Sequence, residues 1–203
     1  MATEDTQTSE PLKLSARRAR VVQDVHRWGE IMNGNNGNFC DAGTGALLSG
    51  FFEYVVDWEI KRSLRYQNFA TLLVLEPDRK PRYSETLGTL VSLIRKNLRD
   101  TDIVGRLNDG KFGVLLLHAD LDGAYITASR IVEHINNYIF SEEKGQHLTV
   151  SIGAACFPTN STSVDKGDLF KEAEGAFRLA RKAGNSIYFP GLPILENSGG
   201  IER

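Results

Sequence analysis

The sequence is poor in most features that assign a chain to a specialised class. It has two cysteines, Cys40 and Cys156. They lie far apart and carry no metal-ligand spacing, so there is neither a disulfide framework nor a thiolate cluster to read. No apolar run approaches the ~18 residues of a membrane span, and no membrane partner is expected. Neither sign of charge dominates: Lys+Arg number 24 against 26 Asp+Glu, a formal net charge of −2. That balance lacks the basic footprint of a general nucleic-acid binder, so any anion site must be local. The opening residues, MATEDTQTSEPLKL, do not follow the charged-then-apolar order of a secretory leader, and a cytoplasmic setting is expected. His118, His134 and His147 have no partner spacing and read as structural or surface groups.

What the chain does have is 203 residues, 41% of them hydrophobic, enough for one well-packed domain and an appendage. Residues 1–11 are polar. Over 12–32 the positions Leu14, Val21, Val25, Trp28 and Met32 follow three-four spacing, the seam of a short coiled coil or of a helix docked on its own domain. Arg18 interrupts that seam and Gly29 weakens the helix. NGNNGN at 33–38 reads as a hinge. The expected divisions are therefore 1–40 (polar start, helix and hinge), 41–190 (the main domain) and 191–203 (a flexible tail).

Within the main domain, 46–66 has helical periodicity and a basic end. FATLLVLE at 69–76 reads as a buried strand. A helix over 84–98, with Ser84 as candidate N-cap, is followed by strands over 102–107 and 112–118 around a tight turn. A helix over 121–139, a strand over 148–156, a helix over 166–183 stopped by Gly184 and a strand over 186–189 complete the chain. The order α-β-α-β-β-α-β-α-β predicts an α/β (α+β) domain, a mixed central sheet with flanking helices.

Several local stretches carry a resemblance. DAGTGALLSGFF, RSLRYQNFATLLVLEPD, RDTDIVGRLNDGKFGVLL, LTVSIGAACFP and AEGAFRLARKAGNSIYF follow one another in the order found in the GGDEF domain family, the diguanylate cyclases. The chain resembles that family from about residue 41 to 189, which implies a nucleotidyl-cyclase-like fold. The family's signature is two glycines, two acids and a phenylalanine. Here the five positions are Asn108, Asp109, Gly110, Lys111 and Phe112. The resemblance implies that Gly110 stands where a metal-binding acid is usual and that Lys111 inverts the charge of the next one. Glu76 and Asp78, with Pro77 between, take the place of an Asp-x-Asp pair. The segment after Asp78 is too short for the family's guanine-reading residues, and Arg181 replaces a phosphate-contacting lysine. The hairpin therefore reads as degenerate. The expectations are no metal ligands, no Mg²⁺-GTP, no cofactor and no enzyme activity.

A second family feature is present. Arg99-Asp100-Thr101-Asp102 is separated from Asn108 by five residues, Ile103 to Leu107. That is the spacing of the family's inhibitory site, which binds cyclic di-GMP. An arginine fork suits a phosphate or the O6/N7 edge of guanine, and an aspartate can accept from guanine N1–H and N2–H₂. Arg130 falls where the family often has a further ligand-binding arginine. The plainer reading is a surface ion pair worth ~0–1 kcal/mol; Arg106 and Asp109 match the bare pattern too. The expected function is a catalytically inactive receptor for cyclic di-GMP, acting through a protein partner, with a homodimer as a further option. The rivals are a nucleotide-independent interaction scaffold and an active diguanylate cyclase.

Overall fold

In a computed structural model, the residues described are 39–141, 144–145, 147–158, 166–191 and 195–196. The expected helix over 12–32 and its hinge lie outside them. The elements are α1 (Ser49–Tyr66), β1 (Ala70–Pro77), α2 (Ser84–Arg95), β2 (Ile103–Arg106), β3 (Phe112–Leu117), α3 (Leu121–Asn136), β4 (Val150–Phe157), α4 (Lys166–Ala183), β5 (Ser186–Tyr188) and β6 (Leu195–Glu196). They form one mixed sheet in the order β2-β3-β1-β4-β5-β6. The β4–β5 pair is parallel and every other pair is antiparallel. The class of fold is the one expected, and the elements follow the expected order with β6 added at its end.

The central strand β1 is a continuous apolar run because helices cover both faces of the sheet. Leu73 and Leu75 point to one side, joining Val114 and Leu116 of β3 and residues of α2 and α3 such as Leu90, Ile94, Ala128 and Ile131 in the main core. Leu72 and Val74 alternate to the other side, where α1 and α4 pack. Three glycines let those two helices approach closely. A Cβ at Gly105 would lie 2.2 Å from the Phe52 ring, and one at Gly113 would lie 2.3 Å from it. One at Gly153 would lie 1.9 Å from the backbone of Phe177. Phe52, fully buried, therefore fills a slot cut across β2 and β3.

Two boundaries differ from expectation for non-local reasons. α1 begins at Ser49 rather than 46 because Leu47 is drawn onto the free edge of β2. Its N–H donates to the Val104 carbonyl at 2.9 Å and its carbonyl accepts from Arg106 N–H at 2.7 Å. The expected loose tail is in part a strand: β6 pairs with β5 through Ser186↔Glu196 and Ile187↔Leu195. Among the described residues no helix is long and apolar enough to cross a membrane.

Candidate functional site: two ends of one hairpin

The β2–β3 hairpin presents chemistry at both its ends. At the turn, Asn108–Gly110 forms a single 3₁₀ turn, closed by Leu107 N–H donating to the Lys111 carbonyl at 2.8 Å. Gly110 takes φ +83°, a left-handed conformation that costs glycine little. Lys111 points toward α4. Its Nζ donates to Glu174 Oε1 at 3.0 Å and Oε2 at 3.2 Å, and lies 5.7 Å from the centre of the Phe177 ring. The lysine that replaces an acid is thus neutralised by an acid on a helix 63 residues further on. A cleft of about 490 Å³ opens beside this pair, bordered by Glu53, Asn108, Phe170, Lys171 and Arg178.

The other side of the turn is tied down as well. Arg106 lies 5.4 Å from the Phe112 ring centre and pairs with Asp41 Oδ2 at 3.3 Å. Asp41 also accepts from the Thr44 hydroxyl at 2.6 Å and the Thr44 N–H at 2.9 Å. The Thr44 hydroxyl bond, helped by the Arg106 charge, holds its carboxyl below the usual range against the opposing effect of burial. Arg95 donates to the Gly45 carbonyl at 2.6 Å. Arg95 and Arg106 therefore brace the 41–45 loop.

Family resemblance implies a magnesium ion near this turn, so the donor set matters. β1 brings Glu76 and Asp78 to the same end of the sheet, since Leu75 pairs with Phe112. Asp78 is already committed. Its Oδ1 accepts from the Ser151 hydroxyl and from Arg181 Nη1 at 3.2 Å, and its Oδ2 from Asn185 N–H at 2.8 Å. Arg181 also donates to the Pro77 carbonyl at 2.7 Å, so it faces a carboxylate and a carbonyl. Among the described residues no three Asp, Glu, His or Cys come together to hold a metal. As arranged here, the described residues at this corner do not fit a divalent cation held by carboxylates.

At the opposite end of the hairpin, residues 96–102 turn from α2 into β2. Asp102 closes that turn. Its Oδ2 accepts from Arg99 N–H at 2.9 Å, its N–H donates to the Arg99 carbonyl at 2.9 Å, and its Oδ1 accepts from Leu117 N–H at 3.1 Å. Asp102 thereby anchors the turn to the end of β3. Arg99 is exposed. Arg130, itself exposed on α3, donates from Nη2 to the Asn97 carbonyl at 3.3 Å. Asn97 also contacts His134 Nδ1 at 3.0 Å. The fold thus brings Arg99, Asp102 and Arg130 to one corner and holds Lys111 at the other end of the hairpin.

Sequence reasoning missed Glu174 and Asp41 as the partners that neutralise Lys111 and Arg106. Nothing local marks either pairing. It also missed Glu59, a charged residue on the apolar face of α1; its place among Val55, Val56 and Ile60 was the available signal. Cys156, half-buried on β4, has its thiol pushed up chiefly by burial, against the Thr71 hydrogen bond.

Comparison with known proteins now identifies the class. The model of the diguanylate cyclase GGDEF domain matches residues 83–186, just over half of the chain, and the chain belongs to this family. Two probable diguanylate cyclases of Escherichia coli K12 are similar to it. DgcT is 28% identical over 105 residues, spanning 50% of this chain and 23% of that protein. DgcC is 26% identical over 155 residues, spanning 72% of this chain and 41% of that protein. The chain therefore covers less than half the length of either relative. Among solved structures, the Pseudomonas aeruginosa FimX GGDEF domain superposes with a TM-score of 0.67 at 20% identity, over 75% of this chain and 99% of that one. The GGDEF domain of DgcB from Caulobacter crescentus, in complex with c-di-GMP, gives 0.69 at 14% identity, over 78% and 96%. These likenesses share the fold seen here.

Family membership corrects one expectation. The chain was expected not to be an enzyme. The family model is that of a diguanylate cyclase domain, and the similar proteins are named as probable diguanylate cyclases, which points to an enzyme. The substitutions in the 108–112 turn do not outweigh that.

Proposed function

We propose that this GGDEF domain binds cyclic di-GMP at the Arg99–Asp102 corner, with Arg130 as a second cationic contact. The observation that carries the reading is the position of Arg99. It is exposed on a turn whose shape is fixed by Asp102, and Arg130 reaches the same segment through Asn97. A guanidinium held by a rigid turn loses less freedom on binding than one on a mobile loop. Its planar fork matches a phosphate or the O6/N7 edge of guanine. The c-di-GMP complex of the structurally similar DgcB domain supports the choice of ligand class. The activator-bound structure of SiaD from Pseudomonas aeruginosa, similar at a TM-score of 0.65, supports a protein partner as the readout.

Isothermal titration of the full chain with cyclic di-GMP, with GTP as control, tests the reading. Binding that weakens with salt and is lost in Arg99→Ala is the expected result. Absence of heat with cyclic di-GMP, or heat unchanged in Arg99→Ala, overturns it. Family membership favours a second reading, synthesis of cyclic di-GMP from GTP. Incubation with GTP and Mg²⁺ checks it directly: cyclic di-GMP as product supports it, and unchanged GTP at high protein concentration rejects it for this chain.

A further inference from the structure

Most charged groups in the described fold have a partner or face water. Glu59 does neither. It lies on α1 beside Ile60 and near Val56, all turned toward the sheet, and is 2% exposed. Its Oε1 has no hydrogen-bond partner among the described residues. Arg62 Nη1 stands 3.5 Å away, near enough to attract a charge but too distant for a good hydrogen bond. The Arg62 guanidinium also lies over the Trp58 ring, 5.7 Å from its centre.

Among the described residues, α1 packs chiefly on β1, β2 and α4. They turn Leu72 and Val74, Gly105 and Phe170 toward it. Charged groups on this side of the sheet include Glu53, Glu76, Lys111, Lys171, Glu174 and Arg178. They gather at the signature-turn end, and Arg62 is the charge that acts on Glu59. Burial pushes the Glu59 carboxyl up to about 7, with Arg62 opposing. A desolvated carboxylate with one oxygen unpartnered is costly, so burial favours its neutral form.

We propose that Glu59 is a proton-operated latch that seats α1 on the sheet when its carboxyl is protonated and loosens it when the carboxylate forms. Loosening reaches the hairpin directly. Phe52 of the same helix fills the slot across Gly105 and Gly113, and Leu47, just before the helix, pairs with the edge of β2. The sign is fixed by linkage. Burial raises the carboxyl from an ordinary 4.5 to about 7 in the fold, so the native state holds more protons between those values. Stability falls as pH rises through that window and levels off above about 7.

The test uses the full chain carrying Trp28→Phe, which leaves Trp58 as the reporter beside Glu59. Denaturant unfolding is measured from pH 5.5 to 8.5, alone and with Glu59→Gln. The expected result is an unfolding constant that rises roughly tenfold or more across the range relative to the Glu59→Gln protein. Amide exchange in α1, corrected for intrinsic rates, accelerates with pH relative to α3 only when Glu59 is present. Carbon-13 NMR of the glutamate carboxyls gives a readout that needs no variant: a signal titrating near 7 supports the latch. Parallel pH profiles for the two proteins, or a Glu59 carboxyl titrating near 4.5, overturn it.

Discussion

The two ends of the β2–β3 hairpin use charge in opposite ways. At the turn, three charged groups meet opposite charges within the fold: Lys111 pairs with Glu174, Arg106 with Asp41, and Asp78 with Arg181, while Asn185 N–H also donates to Asp78. At the other end it is the acid that is committed inward. Asp102 accepts from the backbone of Arg99 and Leu117, while Arg99 and Arg130 remain exposed. The same two strands thus carry a corner where Lys111, Arg106 and Asp78 are paired within the fold and a corner that offers cations to solution. The difference teaches that a motif's chemistry depends on what its side chains already face. Lys111 is a strong cation by type, but two carboxylate oxygens at 3.0 and 3.2 Å answer it. Arg99 is the cation a ligand can take without displacing an internal partner of that strength.

The largest effect comes from breaking what both ends share. Gly113→Ala puts a methyl 2.3 Å from the Phe52 ring. The core on that side is packed, so relief requires a shift of α1 or of the strand. A stability loss of about 3 kcal/mol is expected, at the upper end of overpacking costs, read by denaturant unfolding. Combined with Phe52→Ala, the two losses fall well short of adding, because each removes the other's cause. Full additivity would mean that the slot is not what couples helix to hairpin.

The next effect separates the ends. Arg99→Ala is expected to weaken cyclic di-GMP binding by tenfold to a hundredfold, the range for losing hydrogen bonds from a charged group. The melting temperature stays unchanged, because the Arg99 backbone, not its side chain, holds the turn. Asp102→Ala lowers both, since two backbone N–H groups lose their acceptor. The stability cost there is about 1–3 kcal/mol. If Arg99→Ala costs as much stability as Asp102→Ala, the side chain is structural and the contrast between the two ends fails.

How much of this was legible in the sequence follows from distance along the chain. The strands were readable because runs such as FATLLVLE are apolar on both faces, as a doubly covered sheet demands. The Arg99–Asp102 corner was readable because its members are three residues apart and one turn of chain brings them together. The start of α1 was not, because Leu47 is claimed by a strand edge nearly 60 positions further on. Nor was β6, a two-residue strand with no pattern of its own. The Lys111–Glu174 pair needed the crossing of α4 over the hairpin, which no local pattern encodes. Glu59 was visible as a charge on an apolar helical stripe, a break in periodicity that an amphipathic reading passes over.

A third, smaller effect sharpens the contrast at the turn. Lys111→Glu sets two carboxylates against each other beside Phe177. The pair is partly exposed, its side chains 17% and 36% accessible, so solvent screens it and the loss is expected near 1 kcal/mol. Adding Glu174→Lys restores most of that loss, and high salt reduces it. Cyclic di-GMP affinity is expected to stay within twofold of the parent protein. A large loss of affinity in Lys111→Glu would show that the two ends communicate or that the ligand sits at the turn.

The smallest effect tests whether Arg130 belongs to the exposed corner. Its contact with the Asn97 carbonyl is long, at 3.3 Å, and the side chain is exposed. Truncation to alanine should therefore cost little stability, within about 0.5 kcal/mol. Its contribution to an anionic ligand is a screened attraction, so Arg130→Ala is expected to weaken cyclic di-GMP binding about threefold to fivefold, less at high salt. The double variant with Arg99→Ala decides the matter. Two cations gripping one ligand are coupled, so once Arg99 is gone the further loss from Arg130→Ala should shrink toward nothing. Equal losses from Arg130→Ala in both backgrounds would mean that it acts independently of the grip at Arg99. A drop in melting temperature with no change in affinity would return it to the role its one visible bond describes, a brace between α3 and the turn that leads into β2.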